Sequence, residues 1–153
     1  MLSQEIKDAL DNSKSTLAVF IDFKSAYDSI WRQKLLQKMM SLGIEGSMLR
    51  WFQSFLNQRF ICTRYNQNYS KFKQTHHGLP QGSVLSTILF NIMINDLPQK
   101  LLQNKNINCA LFTDDLVIWT SAKNKDEAKL SREMNKALED LSIWCEENLM
   151  TIN

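Results

Sequence analysis

The chain has 153 residues, of which 44% are hydrophobic, and its formal net charge is +2 at neutral pH. That length can bury one core of ordinary size, so we expect a single domain over residues 1–153 and exclude a two-domain enzyme. No apolar run reaches the ~20 residues of a membrane span, and the first ten residues lack the basic-then-apolar order of a signal peptide, so we expect an intracellular protein without a membrane partner.

The first third of the chain predicts helices around one strand. Apolar residues at helical spacing indicate helices at 2–10, 31–42 and 47–56. Between the first two lies the continuous apolar run 17–21, which ends at Asp22. Such a run is typical of a strand buried on both faces, here with an acid at its end.

The middle of the chain predicts a two-stranded ribbon, a tight turn and a helix. Residues 60–65 and 71–75 read as short strands joined by an asparagine-rich turn at 66–68. The glycine- and proline-containing segment 78–82 is the strongest turn signal in the sequence. Ser83 can cap a helix that runs through Ile94, and because that helix is apolar all round we expect it to be buried, a strand being the alternative.

The last third predicts a hairpin followed by a long helix. The apolar segments 107–112 and 116–120 flank Thr113, Asp114 and Asp115, so the acids are expected at the hairpin tip. Asn124 and Glu127 have the spacing of a capping box, and the apolar stripe that follows predicts a closing helix as far as Trp144.

Charge and cysteine usage add two weaker indications. Residues 1–75 carry 11 Lys and Arg against 6 Asp and Glu, a net charge of +5, whereas 76–153 carry 7 against 10, a net charge of −3. A basic half beside an acidic half suits a site that grips phosphate and holds cations, although solvated surface charge explains it too. The scattered cysteines Cys62, Cys109 and Cys145 indicate small core residues, and His76 and His77 have no metal-ligand spacing.

Three acids stand where strands end, Asp22 after the first strand and Asp114 with Asp115 at the hairpin tip. If the strand and the hairpin are neighbours in one sheet, the carboxylates meet at one edge, where their repulsion reaches several kcal/mol at roughly 4 Å and a dielectric near about 20. A hard cation such as Mg²⁺ would relieve that repulsion. The alternative for the Asp-Asp pair is ordinary turn chemistry, because aspartate bonds its own backbone in turns.

Three sequence blocks stand out together. They are Phe20-Ile21-Asp22-Phe23-Lys24-Ser25-Ala26-Tyr27-Asp28, then Gly78-Leu79-Pro80-Gln81-Gly82-Ser83-Val84-Leu85 with the helix after it, and Phe112-Thr113-Asp114-Asp115. These blocks resemble the palm motifs of reverse transcriptases encoded by non-LTR retrotransposons of the jockey or LINE type. They stand in that family's order and approximate spacing, and similarity between them extends over nearly the whole chain.

The resemblance implies an α+β polymerase palm, a small antiparallel sheet with helices packed on one face. It also implies RNA-directed DNA synthesis by two-metal nucleotidyl transfer, with an RNA template, a DNA primer and deoxynucleoside triphosphates as partners. Asp22, Asp114 and Asp115 would be the catalytic acids and the ligands of Mg²⁺ or Mn²⁺, Asp22 and Asp114 foremost.

The resemblance also implies substrate contacts for four residues. Phe23 and Tyr27 follow the first acid, and Tyr27 matches the aromatic residue that packs under the incoming sugar and excludes a 2′-hydroxyl. Gln81 offers an amide near the nascent base pair, and Gly82 lets the backbone approach the substrate. A core tyrosine and a purely structural turn are the alternatives.

The ribbon carries basic residues that could face phosphates, Arg59, Arg64, Lys71 and Lys73. They are interleaved with aromatic residues that could pack or stack. An ordinary ribbon with a solvated basic face is the alternative.

The sequence departs from the family pattern in three ways. Thr113 stands where alanine is usual, Ser86-Thr87 replaces the usual Gly-Pro, and nothing resembles the fingers or the thumb. We therefore expect a partial domain with weak or no activity by itself. An inactive remnant or nucleic-acid-binding module that keeps the fold is the main alternative, and an RNA-dependent RNA polymerase is a further one, against which Tyr27 argues.

Overall fold

The computed structural model describes residues 2–123 and 126–153, which form two compact units. The first unit comprises residues up to 24 together with those from 94 onward, and the second comprises residues 25–93. The helices are α1 (Leu2–Asp11), α2 (Ala26–Ser29), α3 (Arg32–Ser41), α4 (Gly46–Leu56), α5 (Val84–Ile94), α6 (Leu97–Leu101) and α7 (Glu127–Asn148). The strands are β1 (Lys14–Asp22), β2 (Arg59–Ile61), β3 (Arg64–Tyr65), β4 (Asn68–Tyr69), β5 (Lys73–Thr75), β6 (Asn108–Phe112) and β7 (Asp115–Lys123).

The first unit is built on an antiparallel sheet of three strands in the order β1-β7-β6. The helix α7 packs against β7 and β1, and α6 packs against α7 and β6. Apolar side chains at helical spacing on α7 are buried, among them Leu141 and Trp144. They meet a sheet face that carries Leu116 and Ile118, both almost completely buried. Burial of this apolar area is what orders the unit.

The opposite face of the same sheet is largely open. Side chains alternate between faces along a strand, so Phe20 lies on the face opposite to Ile21. Ile21 is buried whereas Phe20 is 75% exposed. At the end of this face far from Asp22, α1 reaches the sheet, and the Trp119 indole Nε1 donates a 2.6 Å hydrogen bond to Glu5.

This one-sided covering corrects one expectation about β1. The continuous apolar run predicted burial on both faces, but most of the strand is half-buried. The predicted fold class is confirmed, because the chain is α+β with a small antiparallel sheet and α7 on one face.

The second unit holds three helices, most of α5, and the ribbon 59–75. In the ribbon β2 pairs with β5 and β3 pairs with β4, all antiparallel. The predicted two strands are thus interrupted near residue 62, where the Thr63 N–H donates to the Ser70 hydroxyl instead. The helix α5 buries Leu89 and Phe90, but Val84 is exposed, so the expected all-round burial is wrong.

The ends of some helices and strands differ from those that the sequence pattern predicted. The hairpin tip contains Thr113 and Asp114 alone, because Asp115 already belongs to β7. The expected capping role of Asn124 falls outside the described residues, and the side chain that accepts from the first turn of α7 is that of Asp126. Within the described ranges, no helix is long and apolar enough to cross a membrane.

Candidate active site

The strand register brings two of the three predicted acids together. Asp22, the last residue of β1, is paired directly with Asp115, the first residue of β7, and Phe112 of β6 lies on the other side of Asp115. Directly opposed residues of neighbouring strands point to the same face. Two carboxylates in this relation repel each other, so the pairing costs stability unless a cation or another donor compensates it.

The third acid, Asp114, lies beside this pair in the two-residue turn between β6 and β7. Its neighbour Thr113 has φ of 54°, a left-handed conformation that is unfavourable for a β-branched residue. The Thr113 hydroxyl donates to the Phe112 carbonyl at 2.7 Å and to Asp114 Oδ1 at 2.8 Å. The residue that departs from the family pattern therefore holds the Asp114 carboxylate.

The segment 150–153 lies alongside the end of β1. The Lys24 N–H donates to the Thr151 carbonyl at 2.8 Å, and the Asn153 N–H donates to the Asp22 carbonyl at 3.0 Å. The Asn153 side-chain amide also donates to Asp22 Oδ2. Two of the three acids thus accept a hydrogen bond from a neutral side chain.

The donor chemistry of this cluster fits a hard divalent cation, since all three side chains offer carboxylate oxygens. Among residues 2–123 and 126–153, no Lys, Arg or His forms a salt bridge with any of the three. Over the same residues, no three His, Cys, Asp or Glu side chains converge closely enough to hold a metal ion as they stand. The cluster therefore has the right ligands but not a closed coordination shell.

An open hollow of about 430 Å³ lies on the face that carries Asp22 and Asp115. Its walls include Phe20, Phe112 and Val117. Phe20 and Phe112 are both more than 70% exposed, which is unusual for large apolar rings unless another molecule or segment covers them. The acids therefore sit at the rim of an accessible apolar surface.

The Phe23 side chain does not reach this surface. It is 2% exposed and packs against Trp144 of α7, with ring centroids 6.2 Å apart. Phe23 lies one residue beyond Asp22, and side-chain alternation turns it toward the core. The expectation that its side chain contacts a substrate is therefore corrected, and Phe23 is a core residue.

Tyr27 is held in the second unit by two contacts. Its ring stacks on Phe90 of α5, with centroids 4.8 Å apart and planes 16° from parallel. Its carbonyl accepts the Leu79 N–H at 2.8 Å. The ring is only part-buried, so one side of this fixed aromatic group remains accessible.

The loop that carries Gln81 and Gly82 is held in place by close packing at Gly78 and by a hydrogen bond to Asp28. Gly78 has φ of 83°, and a Cβ at this position would lie 2.6 Å from the Asp28 carbonyl oxygen, so glycine is required. The Gln81 amide donates to both carboxylate oxygens of Asp28, at 3.0 and 3.1 Å. Gly82 also has φ of 83°, but the space around it is open, so its demand for glycine comes from the backbone alone.

Arg32 anchors the segment before this loop, a role that sequence reasoning missed. Its buried guanidinium donates to the carbonyls of Thr75, His77 and Gly78 and to the Thr75 hydroxyl, at 2.7 to 3.0 Å. Loss of solvation, with the nearby charge of Arg59, lowers the pKa of Arg32 from its usual value. The neutral oxygens around it make the buried charge tolerable.

A family model described as "Reverse transcriptase (RNA-dependent DNA polymerase)" matches residues 2–153. The chain belongs to the reverse transcriptase family. The predicted resemblance to enzymes of non-LTR retrotransposons is confirmed by the relatives of this reverse transcriptase chain.

One relative is a probable RNA-directed DNA polymerase from transposon BS of Drosophila melanogaster, 28% identical over 99% of this chain and 17% of its own length. Another is the RNA-directed DNA polymerase from mobile element jockey of the same species, 25% identical over 95% of this chain and 16% of its own length. A third is a Pol polyprotein from the type-1 retrotransposable element R2 of Nasonia vitripennis, 24% identical over 86% of this chain and 14% of its own length. This chain therefore spans less than a fifth of these relatives.

The fold is shared with a solved telomerase structure. Apo telomerase from Candida tropicalis, truncated from its C-terminal domain, superposes with a TM-score of 0.60 at 18% identity. The match covers 90% of this chain and 30% of that one. At this identity the likeness establishes the fold alone.

Proposed function

We propose that this reverse transcriptase chain is the catalytic palm of an RNA-directed DNA polymerase, and that Asp22, Asp114 and Asp115 are its catalytic acids. The observation that carries the proposal is the register that pairs Asp22 with Asp115, next to Asp114 in the turn. Unneutralised carboxylates at an accessible strand end have little structural value, because their repulsion destabilises the sheet. Their cost is understandable if they serve catalysis.

The three acids are the groups that would hold Mg²⁺ or Mn²⁺, with Asp22 and Asp114 the principal ligands. When bound, the ions would lower the pKa of a primer 3′-hydroxyl and shield the triphosphate. The chain's own contribution is positional. Thr113 and Asn153 each hold one carboxylate in a defined orientation, so less ordering remains to be done when substrate arrives.

In the second unit, we propose that Tyr27, Gln81 and Gly82 meet the incoming nucleotide. The stack of Tyr27 on Phe90 would keep the ring from moving aside, and a fixed flat ring excludes an additional 2′-hydroxyl by steric conflict. The open space at Gly82 leaves its backbone accessible to a ligand. Gln81 would have to exchange its bond to Asp28 for one to the base pair.

We propose an RNA template, a DNA primer and deoxynucleoside triphosphates as partners of this palm. Support comes from the RNA-directed DNA polymerases among its relatives. The chain spans 17% of the transposon BS protein and 16% of the jockey protein, so it offers a small part of their surface to nucleic acid. Affinity for nucleic acid scales with the number of phosphates contacted, so this chain is expected to extend primers slowly.

The experiment is extension of a DNA primer on an RNA template by the purified chain with Mg²⁺ or Mn²⁺. An Asp114→Asn, Asp115→Asn variant should lose incorporation by a factor on the order of 10³ or more, because residues acting as one catalytic unit fail together. Asp11→Asn, a change of the same kind at the exposed end of α1, should retain it. A Tyr27→Val variant should admit ribonucleotides that the unchanged chain rejects.

Binding of Mn²⁺, followed by the loss of its free-ion paramagnetic resonance signal, gives a second readout. The unchanged chain should bind the ion and the Asp114→Asn, Asp115→Asn variant should not. A folded chain that neither binds Mn²⁺ nor extends a primer would contradict the proposal and favour the remnant that keeps only the fold. Incorporation that survives in the double variant would contradict the assignment of the acids.

A further inference from the structure

The second unit contains a long stretch without acids. From residue 46 to residue 95 the sequence has no Asp or Glu, whereas it has five basic residues, Arg50, Arg59, Arg64, Lys71 and Lys73. An uninterrupted stretch of one charge sign attracts a polyanion, and phosphate is the usual one. Four of the five basic residues lie in the ribbon 59–75.

The same ribbon exposes four aromatic rings. Phe60, Tyr65, Tyr69 and Phe72 are between 58% and 77% exposed. A two-stranded ribbon is too small to form a core of its own in which such rings could be buried. Their exposure beside positive charge is the pattern of surfaces on which bases stack while cations contact the backbone.

Two of the basic side chains are already stacked on rings. The Arg64 guanidinium lies 5.5 Å from the centre of the Tyr69 ring. The Arg59 guanidinium lies 5.3 Å from that of Phe55, at the end of α4. Phe55 in turn stacks on the half-exposed Trp51, with ring centroids 5.6 Å apart and planes 9° from parallel.

These stacks orient flat groups in advance. An arginine held on a ring loses little additional freedom on binding. The Arg59 Nη1–H donates to the Phe55 carbonyl and the Arg64 Nε–H to the Asn66 carbonyl, so their remaining N–H groups are the ones that would contact phosphate. The row Trp51, Phe55, Arg59 extends the flat surface from α4 into the ribbon. We call the ribbon 59–75 together with Trp51 and Phe55 the stacking platform.

We propose that the stacking platform binds single-stranded nucleic acid, the unpaired template RNA, through base stacking and phosphate contacts. A single strand is favoured over a duplex because a ring can stack only on a base whose face is not already covered by its neighbours. The inference rests on the proposed function only in naming the strand as template. The binding itself requires no polymerisation.

The test is fluorescence anisotropy of labelled oligonucleotides with the full chain at several salt concentrations. The probes are a 20-residue oligouridine, the matching oligothymidine and an RNA hairpin with a long duplex stem. A ring variant carries Tyr65→Leu, Tyr69→Leu and Phe72→Leu, which keep the charge and an apolar side chain. A charge variant carries Arg64→Gln, Lys71→Gln and Lys73→Gln, and its control carries Lys129→Gln, Arg132→Gln and Lys136→Gln at exposed positions of α7.

We expect the ring variant to bind oligouridine about tenfold or more weakly, with a smaller loss on the hairpin. The charge variant should bind every probe more weakly, and its slope of log affinity against log salt should fall by about 2, since each lost contact to a single strand contributes about 0.7. The α7 control should bind like the unchanged chain. Urea unfolding of each variant shows that the fold is kept.

Three results would overturn the inference. They are oligouridine affinity unchanged in the ring variant, equal weakening on oligouridine and hairpin, and an equal effect of the charge variant and the α7 control. Tighter binding of oligothymidine than of oligouridine would overturn the identification of the strand as RNA. Because the Asp114→Asn, Asp115→Asn variant should still bind oligouridine, a chain that binds without polymerising separates failure of the proposed function from failure of this inference.

Discussion

Two hairpins of this chain use the same turn in opposite settings. The acidic hairpin of β6 and β7 turns through Thr113, and the ribbon turns through Asn66, with φ of 54° and 53° respectively. Asparagine adopts this left-handed conformation readily, whereas a β-branched threonine does so only under constraint. The acidic hairpin packs on α7, and the ribbon has almost every side chain exposed.

The difference indicates where the chain can sustain strain. Burial of β7 supplies the free energy that holds a costly turn conformation next to Asp114. The ribbon buries few side chains, so its turn residue is one that adopts the left-handed conformation with little strain. The ribbon is held instead at its base, where Arg32 donates hydrogen bonds to the end of β5 and the following residues. One hairpin is specified by packing and the other by turn chemistry and a buried anchor.

The largest expected effect comes from a substitution in the core beneath the acidic hairpin. Ile118 of β7 is completely buried on the face covered by α7, whereas Ile61 of the ribbon is 58% exposed. Ile118→Ala should lower the free energy of unfolding by about 3–4 kcal/mol through lost transfer free energy and a residual cavity. Ile61→Ala should change it by less than about 0.5 kcal/mol. Urea unfolding followed by tryptophan fluorescence measures both, and similar losses in the two variants would contradict the contrast.

The next effect removes the anchor of the ribbon. Arg32→Met leaves the carbonyls of Thr75, His77 and Gly78 without their donor and should cost about 2–3 kcal/mol. Lys34→Met, on the same helix, removes an equal charge that makes none of these bonds. Trypsin should cleave after Lys73 faster in the Arg32 variant than in the Lys34 variant. Equal cleavage rates would show that the ribbon does not depend on this anchor.

A smaller effect isolates the hydroxyl at the strained turn. Thr113→Val keeps the β-branched shape and the backbone strain but loses the bonds to Phe112 and Asp114, so stability should fall by about 1 kcal/mol. Thr113→Ser keeps the hydroxyl and should stay near the unchanged chain. If the hydroxyl also orients Asp114, Mn²⁺ affinity should fall severalfold in the valine variant and not in the serine variant. Equal affinities would leave Thr113 a purely structural residue.

The spacing of apolar residues predicted the helices and strands that bury one face, and little else about the fold. The spacing of Leu130, Met134 and Leu141 gave α7 correctly, and the apolar segments around Thr113 gave the acidic hairpin. The same reasoning was wrong for β1, because a continuous apolar run looks alike whether one face or both are covered, and Phe20 is exposed. The short helices α2 and α6 have too few residues for a period to appear.

The candidate site likewise contains some residues that the sequence predicted and others that it could not predict. Strand ends and the resemblance of motifs led to Asp22, Asp114 and Asp115, and the strand register pairs Asp22 with Asp115. Arg32 and Asn153 could not be found, since each acts on oxygens more than 40 residues away in sequence. A polar residue has no periodic signal for such a partner. The roles of the acids, of Tyr27 and of the ribbon stay predictions until the variants are measured.

The smallest expected effect is the change in stability caused by two thiols of the first unit as pH rises. Burial, with the charge of Glu146, raises the pKa of Cys145 on α7 from 9.0 to about 11, and burial also raises the pKa of Cys109 on β6. Well below pH 9 both thiols are neutral whether the chain is folded or not, so their contribution to stability is fully present. Between pH 9 and 11 the thiol ionises first in the unfolded chain, so the free energy of unfolding falls as pH rises. Cys145→Ala should therefore flatten the decline of stability measured by urea unfolding between pH 8 and 10, and Cys109→Ala should flatten it less. An identical decline in the unchanged chain and the Cys145 variant would show that α7 does not shield this thiol from water. The packing beneath the acidic hairpin would then be looser than the contrast with the ribbon requires.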